Sequence, residues 1–308
     1  MAKLTTSRRS FIGALAGSAL PIWSPAFAAE MPNAVPKAVG LSTERVAELD
    51  ANLQSYVDNG RRAGIVALIA RHGKIAYHKA FGWADIARKT PMRANAVMRM
   101  ASMTKPITCV AAMMLYEDRK FRLDDPGEKY IPEFGAVKVF IARDPYGEMY
   151  LEPPKRKPTI LDLFRHTSGL GYGDFRDEGL RQRWAKEDIF ALDQTAFAKA
   201  LATYPLDYQP AEKWFYGVSH DLLATLIQVW SGLSLADYAQ QRIFRPLDMP
   251  SSWIGPLRDD LRSRVPVLYN KHASEILSDP TAGAKDDWYG RGVVGGSGMW
   301  STARDYCR

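Results

Sequence analysis

Residues 99–108 read Arg-Met-Ala-Ser-Met-Thr-Lys-Pro-Ile-Thr, and the chain from Pro106 to Tyr116 then continues without a charged residue. Proline lacks an amide hydrogen and is tolerated in the first turn of a helix. Pro106 therefore predicts that a helix begins within about one turn before it. The apolar positions surround the whole helical cylinder: Ile107, Val110, Ala111, Met114 and Leu115. We expect a helix that is buried on all sides.

Ser102 and Lys105 share the first turn of this helix. Three residues apart, they lie on one face, close enough for the lysine Nζ to reach the serine Oγ. A serine hydroxyl is a weak nucleophile until a base removes its proton, and a lysine can be that base where desolvation lowers its pKa. The helix N-terminus adds positive potential and free amides where an oxyanion would form. The alternative is that Ser102 only caps the helix.

The chain before this helix predicts a first helix and a hairpin. Ser42 or Thr43 can cap a helix that continues to about Asn59, with one apolar face formed by Val46, Leu49, Leu53 and Val57. An apolar run from Gly64 to Ala70 and an alternating run from Lys74 to Phe81 flank His72 and Gly73. This pattern is typical of two antiparallel strands joined by a turn.

The chain after the helix is mainly helical. Residues 133–158 are rich in Pro, Gly and charge, which predicts a long surface excursion. Helical patterns follow at Ile160 to His166, Asp193 to Thr203, Asp221 to Trp230 and Leu235 to Phe244, and Ser301 is the expected cap of a last helix over residues 303–306. Strands, then a helix, then many helices indicate an α/β domain with an inserted helical domain.

Composition excludes several classes of protein. The 308 residues are 46% apolar and 24% charged, which indicates a globular chain, and the basic residues that give the net charge of +7 are scattered among acids. No basic stripe that would follow a nucleic acid is present. Neither Cys109 nor Cys307 indicates a disulfide framework, and His72, His78 and His272 lack metal-ligand spacing. We expect no metal and no cofactor.

The first 28 residues predict a twin-arginine signal peptide. Residues 7–12 read Ser-Arg-Arg-Ser-Phe-Ile, an uncharged stretch covers residues 13–27, and Ala26-Phe27-Ala28 fits a cleavage site. The alternative, a membrane anchor, is disfavoured because Gly17, Pro21 and Pro25 interrupt a stretch shorter than the roughly 20 residues a span needs. The expected location is the periplasm or the medium, and the Tat export machinery is the expected partner of the precursor.

The stretch from Arg99 to Thr108 closely resembles the nucleophile segment of the class C β-lactamase-like serine hydrolases, above all their carboxylesterase branch, the family VIII esterases. The resemblance covers about Gly64 to Asp305. It includes further segments in the same order: residues 123–126 (Leu-Asp-Asp-Pro), 166–170 (His-Thr-Ser-Gly-Leu), 215–217 (Phe-Tyr-Gly), 244–247 (Phe-Arg-Pro-Leu), 295–298 (Gly-Gly-Ser-Gly) and 301–302 (Ser-Thr). Several segments in one order are more specific than any single motif.

The resemblance implies roles for individual residues. Tyr216 matches the tyrosine that acts with the lysine as general base and later protonates the leaving group; packing in the core is the other interpretation. Tyr172, Trp288 and Tyr289 are candidates for substrate contact by family position, with packing in the core or at the rim as the alternative. Residues 295–298 are expected to line the floor of the site, and His166 to be a structural residue at a helix end. Class C β-lactamases carry Asn where this chain has Val218, which favours an esterase.

The implied fold is β-lactamase/transpeptidase-like: an antiparallel sheet flanked by helices, with an inserted helical domain. We expect residues 29–132 and 286–308 to form a discontinuous α/β domain and residues 133–285 the mainly helical insertion. Family members continue past the position of Arg308 with further strands, a third motif and a second oxyanion amide. We therefore expect a chain whose C-terminal strands are missing and whose activity alone is low.

The sequence thus predicts a serine esterase with the catalytic residues Ser102, Lys105 and Tyr216, acting on a small-molecule ester. The alternatives are a β-lactamase or D-alanyl-D-alanine carboxypeptidase that acts on a lactam or peptide, and a non-catalytic penicillin-binding or sensor module. Adjacent Ser219 and His220 are not expected to form a catalytic pair, because neighbours in the chain rarely face each other. The oligomeric state is not predicted.

Overall fold

A computed structural model describes residues 31–272, 275–278, 292 and 294–308 of the chain. The predicted signal peptide, Trp288 and Tyr289 lie outside the described residues. The helices are α1 (Thr43–Asp58), α2 (Thr104–Glu117), α3 (Ile160–Arg165), α4 (Glu178–Glu187), α5 (Gln194–Leu201), α6 (Ser219–Ser231), α7 (Leu235–Ala239) and α8 (Ala303–Cys307). Within these described ranges, no helix is both long enough and apolar enough to cross a membrane.

In the described part of the chain, the strands are all paired antiparallel, in four small sheets. They are β1 (Gly64–Arg71), β2 (Lys74–Asp85), β3 (Thr90–Pro91), β4 (Met98–Arg99), β5 (Val139–Arg143), β6 (Met149–Glu152), β7 (Trp253–Ile254), β8 (Tyr269–His272), β9 (Glu275–Ser278) and β10 (Met299–Ser301). The sheet orders are β1-β2-β3, β4-β10-β7, β5-β6 and β8-β9. Antiparallel sheets flanked by helices agree with the predicted α/β class.

The predicted hairpin is confirmed. Gly64 lies opposite Gly82 and Arg71 opposite Lys74, and the turn residues His72 and Gly73 both have positive φ angles, of 54° and 69°. Two left-handed residues match the twist of the flanking strands. The preceding helix α1 contacts both strands, and Ser42 is its cap, because the serine side chain accepts a hydrogen bond from the amide of Arg45.

The sheet β4-β10-β7 connects the start of α2 to the end of the chain. In this sheet Trp300 of β10 lies opposite Arg99 of β4 and Trp253 of β7, and the amide of Met100 donates to the carbonyl of Met299 at 2.9 Å. Residues 295–299 are thereby brought alongside the first turns of α2. This pairing places Thr104 and Lys105, just after Ser102, next to residues almost 200 positions later in the chain.

The main core lies where α2 packs against α6 and α7. Helix α6 is almost wholly buried, with Leu223, Leu226 and Ile227 showing no exposed surface. The four predicted helices after residue 159 are confirmed as α3, α5, α6 and α7, with α6 beginning two residues early and α7 continuing into a π-helical turn at Gln240–Phe244. Helix α2, which directly follows the predicted nucleophile, is therefore one of the helices that pack against α6.

The expectation that α2 is buried on all sides is wrong. Ala111, Ala112 and Leu115 face the core, but 49% of Val110, 37% of Met113 and 39% of Tyr116 are exposed. The reason is that α6 and α7 cover one side of α2 only. Apolar residues on every side of a helix therefore do not indicate which side other elements of the fold cover.

Residues 133–158 are not the predicted surface excursion. They contain the hairpin β5–β6, and Val139 and Phe140 at its base are buried in the main core. Charged residues, Pro and Gly together make up most of the segment, and this composition concealed the two apolar anchors. Helix α4 was not predicted either, because Leu180 is its one buried residue.

The predicted cap of the last helix is also wrong. The cap of α8 is Thr302, whose side chain accepts a hydrogen bond from the amide of Asp305, while Ser301 ends strand β10. The two residues are neighbours with the same capping chemistry, so only the strand boundary distinguishes them. Neither cysteine is in a disulfide, as expected. The division at residues 132/133 and 285/286 stays a prediction.

Candidate active site

Ser102 lies at the junction between strand β4 and helix α2. The connection is a single 3-10 turn, Ala101–Met103, that runs directly into α2. Ala101 has a φ of 45°, a left-handed conformation that costs a non-glycine residue about 1 kcal/mol or more. This sharp turn leaves Ser102 exposed, at the end of α2 where the helix dipole is positive.

Three predicted residues meet at this point. Oγ of Ser102 lies 2.7 Å from the hydroxyl oxygen of Tyr216 and 3.4 Å from Nζ of Lys105. The same Nζ lies 4.7 Å from the centre of the Tyr216 ring. Lys105 is only 7% exposed, whereas Tyr216 is 36% exposed. A hydroxyl nucleophile, a phenol and a buried ammonium group therefore share one hydrogen-bonded unit.

A polar stripe on α2 binds residues 295–299. The Lys105 ammonium group donates to the carbonyl of Gly296 at 2.9 Å, and the Thr108 hydroxyl donates to the carbonyl of Gly295 at 2.7 Å. Oγ1 of Thr104 accepts from the amide of Met299 at 3.2 Å. Residues 295–298, expected at the floor of the site, therefore lie against α2 and fix the position of the Lys105 side chain.

Asp221, near the start of α6, holds the other side of the same segment. Its Oδ1 accepts from the amide of Gly296 at 2.6 Å, and its Oδ2 has no hydrogen-bond partner among the described residues. Asp221 is 1% exposed, and burial raises the pKa of its carboxyl group to about 6, against the opposing effects of the Gly296 amide and of Lys105. A buried carboxyl group is thus connected to Lys105 through a single residue, Gly296.

Tyr216 is held by the loop that follows α3. His166 ends α3 in a left-handed conformation, its carbonyl accepts from the amide of Phe215 at 2.8 Å, and its Nδ1 accepts from the amide of Gly217 at 3.3 Å. The His166 ring lies 4.8 Å from the Tyr216 ring and 4.4 Å from the His220 ring. His166 therefore lies at a helix end, as expected, and also supports the tyrosine.

Both histidines behind Tyr216 are neutral. Burial, with a smaller contribution from the positive charge of Lys105, lowers the pKa of His166 to about 4. Burial lowers the pKa of His220 to about 3, with smaller contributions from His166 and Lys105. The hydrogen bond that His166 accepts through Nδ1 requires an unprotonated nitrogen, which agrees with a neutral ring.

Ser219 and His220 do not form a pair. The Ser219 hydroxyl bonds to that of Ser168 at 2.9 Å, while the His220 ring faces His166. Val218, the position where class C β-lactamases carry Asn, is fully buried in the core. In the part of the chain that the structure describes, no three His, Cys, Asp or Glu side chains converge as a metal site would require.

The sequence reasoning missed Asp221, Thr104 and Thr108. Their partners are 75 to 195 residues away, so no local spacing marks them. The one signal for Asp221 is an acid at the start of an otherwise apolar helix, a position that also suits an ordinary helix terminus.

A family model described as beta-lactamase matches residues 49–308. The chain is 29% identical to the lovastatin esterase of Penicillium rubens, over 84% of this chain and 66% of that protein. It is 30% identical to esterase EstB of Burkholderia gladioli, over 85% and 68%. Relatives from Mycobacterium tuberculosis are 30% identical, and the chain spans 64% of their length.

The fold is shared with solved structures. Simvastatin synthase (LovD) of Aspergillus terreus superposes with a TM-score of 0.74 at 25% identity, over 86% of this chain and 67% of that chain. The predicted β-lactamase/transpeptidase-like fold is therefore confirmed.

Proposed function

The chain belongs to the beta-lactamase family, and from this premise we propose that it hydrolyses carboxylic esters through an acyl-enzyme formed on Ser102. The observation that carries the proposal is the contact of Oγ of Ser102 with both Tyr216 and Lys105, at 2.7 Å and 3.4 Å. The relatives named as esterases support an ester as the substrate.

In the proposed reaction, Lys105 and Tyr216 act as one proton-carrying unit. Oγ of Ser102 bonds to the ester carbonyl carbon while its proton passes to the Tyr216 oxygen, which begins the step as a phenolate beside the Lys105 ammonium group. Tyr216 then returns this proton to the alcohol oxygen as the C–O bond breaks. A water molecule then attacks the acyl group, its proton follows the same route, and Oγ regains a proton as the carboxylic acid leaves. The backbone amide of Ser102 donates to the oxyanion.

The test is the variant Ser102→Ala. We expect it to lose hydrolysis of p-nitrophenyl acetate and butyrate while its circular dichroism and melting stay those of the wild type. A fluorophosphonate should add mass to the wild-type peptide that contains Ser102 and to no peptide of the variant. Ser55→Ala, on α1, is the matched control and should keep full activity. Unchanged hydrolysis in Ser102→Ala would show that Ser102 is not the nucleophile.

Ester hydrolysis should exceed lactam hydrolysis. The buried Val218 offers no amide to a lactam side chain, and an unmet polar partner costs on the order of 1 to 3 kcal/mol of discrimination. The comparison is kcat/KM for p-nitrophenyl butyrate against nitrocefin. Efficient nitrocefin turnover with negligible ester cleavage would instead favour a β-lactamase.

We also propose export of the precursor to the periplasm or the medium by the twin-arginine route. The arginine pair at positions 8 and 9, the uncharged stretch and the Ala26-Phe27-Ala28 site support it. Cell fractionation should find the mature protein outside the cytoplasm, and changing Arg8 and Arg9 to Lys should retain the precursor inside. Export that continues unchanged when both arginines are replaced would contradict this route.

A further inference from the structure

The rim of the proposed site is aromatic. Trp214 is 64% exposed, and its ring centre lies 6.0 Å from that of Tyr216. Tyr172, 38% exposed, lies on the same ring at 6.2 Å and is nearly parallel to it, at 18°. Large aromatic faces left in water beside a nucleophile are typical of a surface that a ligand covers. Trp214 offers the largest uncovered face of the three.

Neighbouring rings support this surface in the absence of any ligand. The Trp214 ring meets the edge of the His166 ring at 6.0 Å, and the next residue, Phe215, is hydrogen-bonded to the carbonyl of His166. Tyr172 is supported by Phe190, whose ring stacks on it at 5.3 Å. A preformed surface binds without the cost of ordering side chains.

The position of Tyr216 shows which part of the substrate these rings face. On the proposed function, on which this step rests, Tyr216 gives its proton to the alcohol oxygen of the ester. The alcohol portion therefore starts beside the Tyr216 hydroxyl, and the rings that flank Tyr216 lie on its side of the site.

The groups around these rings do not favour a charged ligand. His166, below Trp214, is neutral, and the nearby ammonium group of Lys105 would repel a cationic alcohol. Lys213, next to Trp214 in the chain, places its Nζ 3.6 Å from the centre of the Tyr208 ring. We propose that Trp214 selects esters whose alcohol portion is a flat, uncharged, aromatic group, which stacks on its exposed face.

The experiment compares two esters with the same acyl group and similar leaving groups, 2-naphthylmethyl acetate and n-butyl acetate, followed by proton release. In Trp214→Ala, we expect kcat/KM for the naphthyl ester to fall about 10-fold, mainly through KM, and that for the butyl ester to fall less than about 2-fold. Trp214→Phe should keep most of the preference. Tyr146→Ala, which removes a 96% exposed aromatic residue in the β5–β6 turn, is the control and should change neither value.

An equal loss of kcat/KM on both esters would overturn the proposal. Binding of the product alcohol, 2-naphthylmethanol, separates this inference from the proposed function. If the wild type binds this alcohol and Trp214→Ala binds it about 10-fold more weakly, the aromatic site stands even where no ester is cleaved. Equal binding by the two proteins would overturn it.

Discussion

Gly296 occupies a position where any side chain would disturb the proposed catalytic lysine. A Cβ atom there would lie 2.5 Å from Oδ2 of Asp221, well inside contact distance. In Gly296→Ala, the segment must move away from α6, and the carbonyl that binds Lys105 moves with it. We expect ester kcat/KM to fall about 10- to 100-fold, because small displacements of catalytic groups are that costly.

The control for this change is Gly127→Ala. A Cβ atom at Gly127 would meet only the carbonyl oxygen of Pro158, at 3.7 Å, which is an ordinary contact. Steady-state kinetics of the two variants against the wild type makes the comparison. Equal activity of Gly296→Ala and Gly127→Ala would show that Lys105 does not depend on this segment.

Asp221 should make the stability of the protein depend on pH. Its folded pKa of about 6 lies above the ordinary 3.8, so the native state keeps a proton that the unfolded chain releases as pH rises from 4 to 6. Ionising the buried carboxyl group therefore lowers the free energy of unfolding at pH 8 by about 3 kcal/mol, because each pKa unit corresponds to about 1.4 kcal/mol. Asp221→Asn removes this cost.

The measurement is urea unfolding at pH 8 and pH 4. The free energy of unfolding of Asp221→Asn minus that of the wild type should be about 3 kcal/mol larger at pH 8 than at pH 4. Asp259→Asn, which neutralises an exposed carboxylate, should show no such difference. A difference of zero in Asp221→Asn would mean that Asp221 titrates normally in the native protein.

At the scale of elements, α2 and residues 295–299 act as one unit through hydrogen bonds. Thr108→Val keeps the shape of the side chain and removes its donation to the carbonyl of Gly295. Leaving that buried carbonyl without its donor should cost about 1 to 3 kcal/mol of unfolding free energy. Thr195→Val, at an exposed position on α5, is the matched control and should cost little. Urea unfolding of both variants tests the expectation.

What the sequence predicted correctly depended on neighbours in the chain. The spacing of Ser102 and Lys105, the turn at His72 and Gly73, and the periodic helices are all local signals, and each is present in the structure. The link from Tyr216 to Ser102 spans 114 residues and was accessible only through resemblance to a family. Neither a local signal nor the family resemblance predicted the contact of Asp221 with Gly296.

Errors arose where burial depends on which other elements are present nearby. Val110 and Ala111 are both apolar and adjacent on α2, but one is 49% exposed and the other fully buried. Residues 133–158 show the opposite error. The segment was predicted to lie on the surface because it is rich in Pro, Gly and charged residues, but Val139 and Phe140 are buried in the core. Tertiary contacts that no window of sequence contains decided both cases.

For the molecule as a whole, the two neutral histidines predict sensitivity to acid. His166 and His220 have folded pKa values of about 4 and 3, so below pH 6.5 the unfolded chain takes up protons that the native state refuses. The stability that they contribute is complete above that pH and is lost as pH falls. Protonation of Asp221 acts in the opposite direction, so variants must be compared with the wild type at each pH.

His220→Phe isolates one of these contributions. Between pH 7 and pH 5, the wild type should lose about 2 kcal/mol more unfolding free energy than the variant. The control His72→Asn, in the exposed hairpin turn, should follow the wild type. Parallel pH profiles of His220→Phe and the wild type would show that His220 is freely protonated in the fold.

The close backbone contacts around the site also guide anyone who evolves this enzyme for a new substrate. At Gly217 a Cβ atom would lie 2.0 Å from the carbonyl oxygen of Leu170, and at Gly296 one would lie 2.5 Å from the side-chain carboxylate of Asp221. A saturation library should spare the codons of these two glycines, since almost every clone that changes them would be lost. Trp214, Tyr172 and Met103 stand open to solvent beside the nucleophile, so diversity placed there can alter selectivity while the frame that holds Ser102 stays intact.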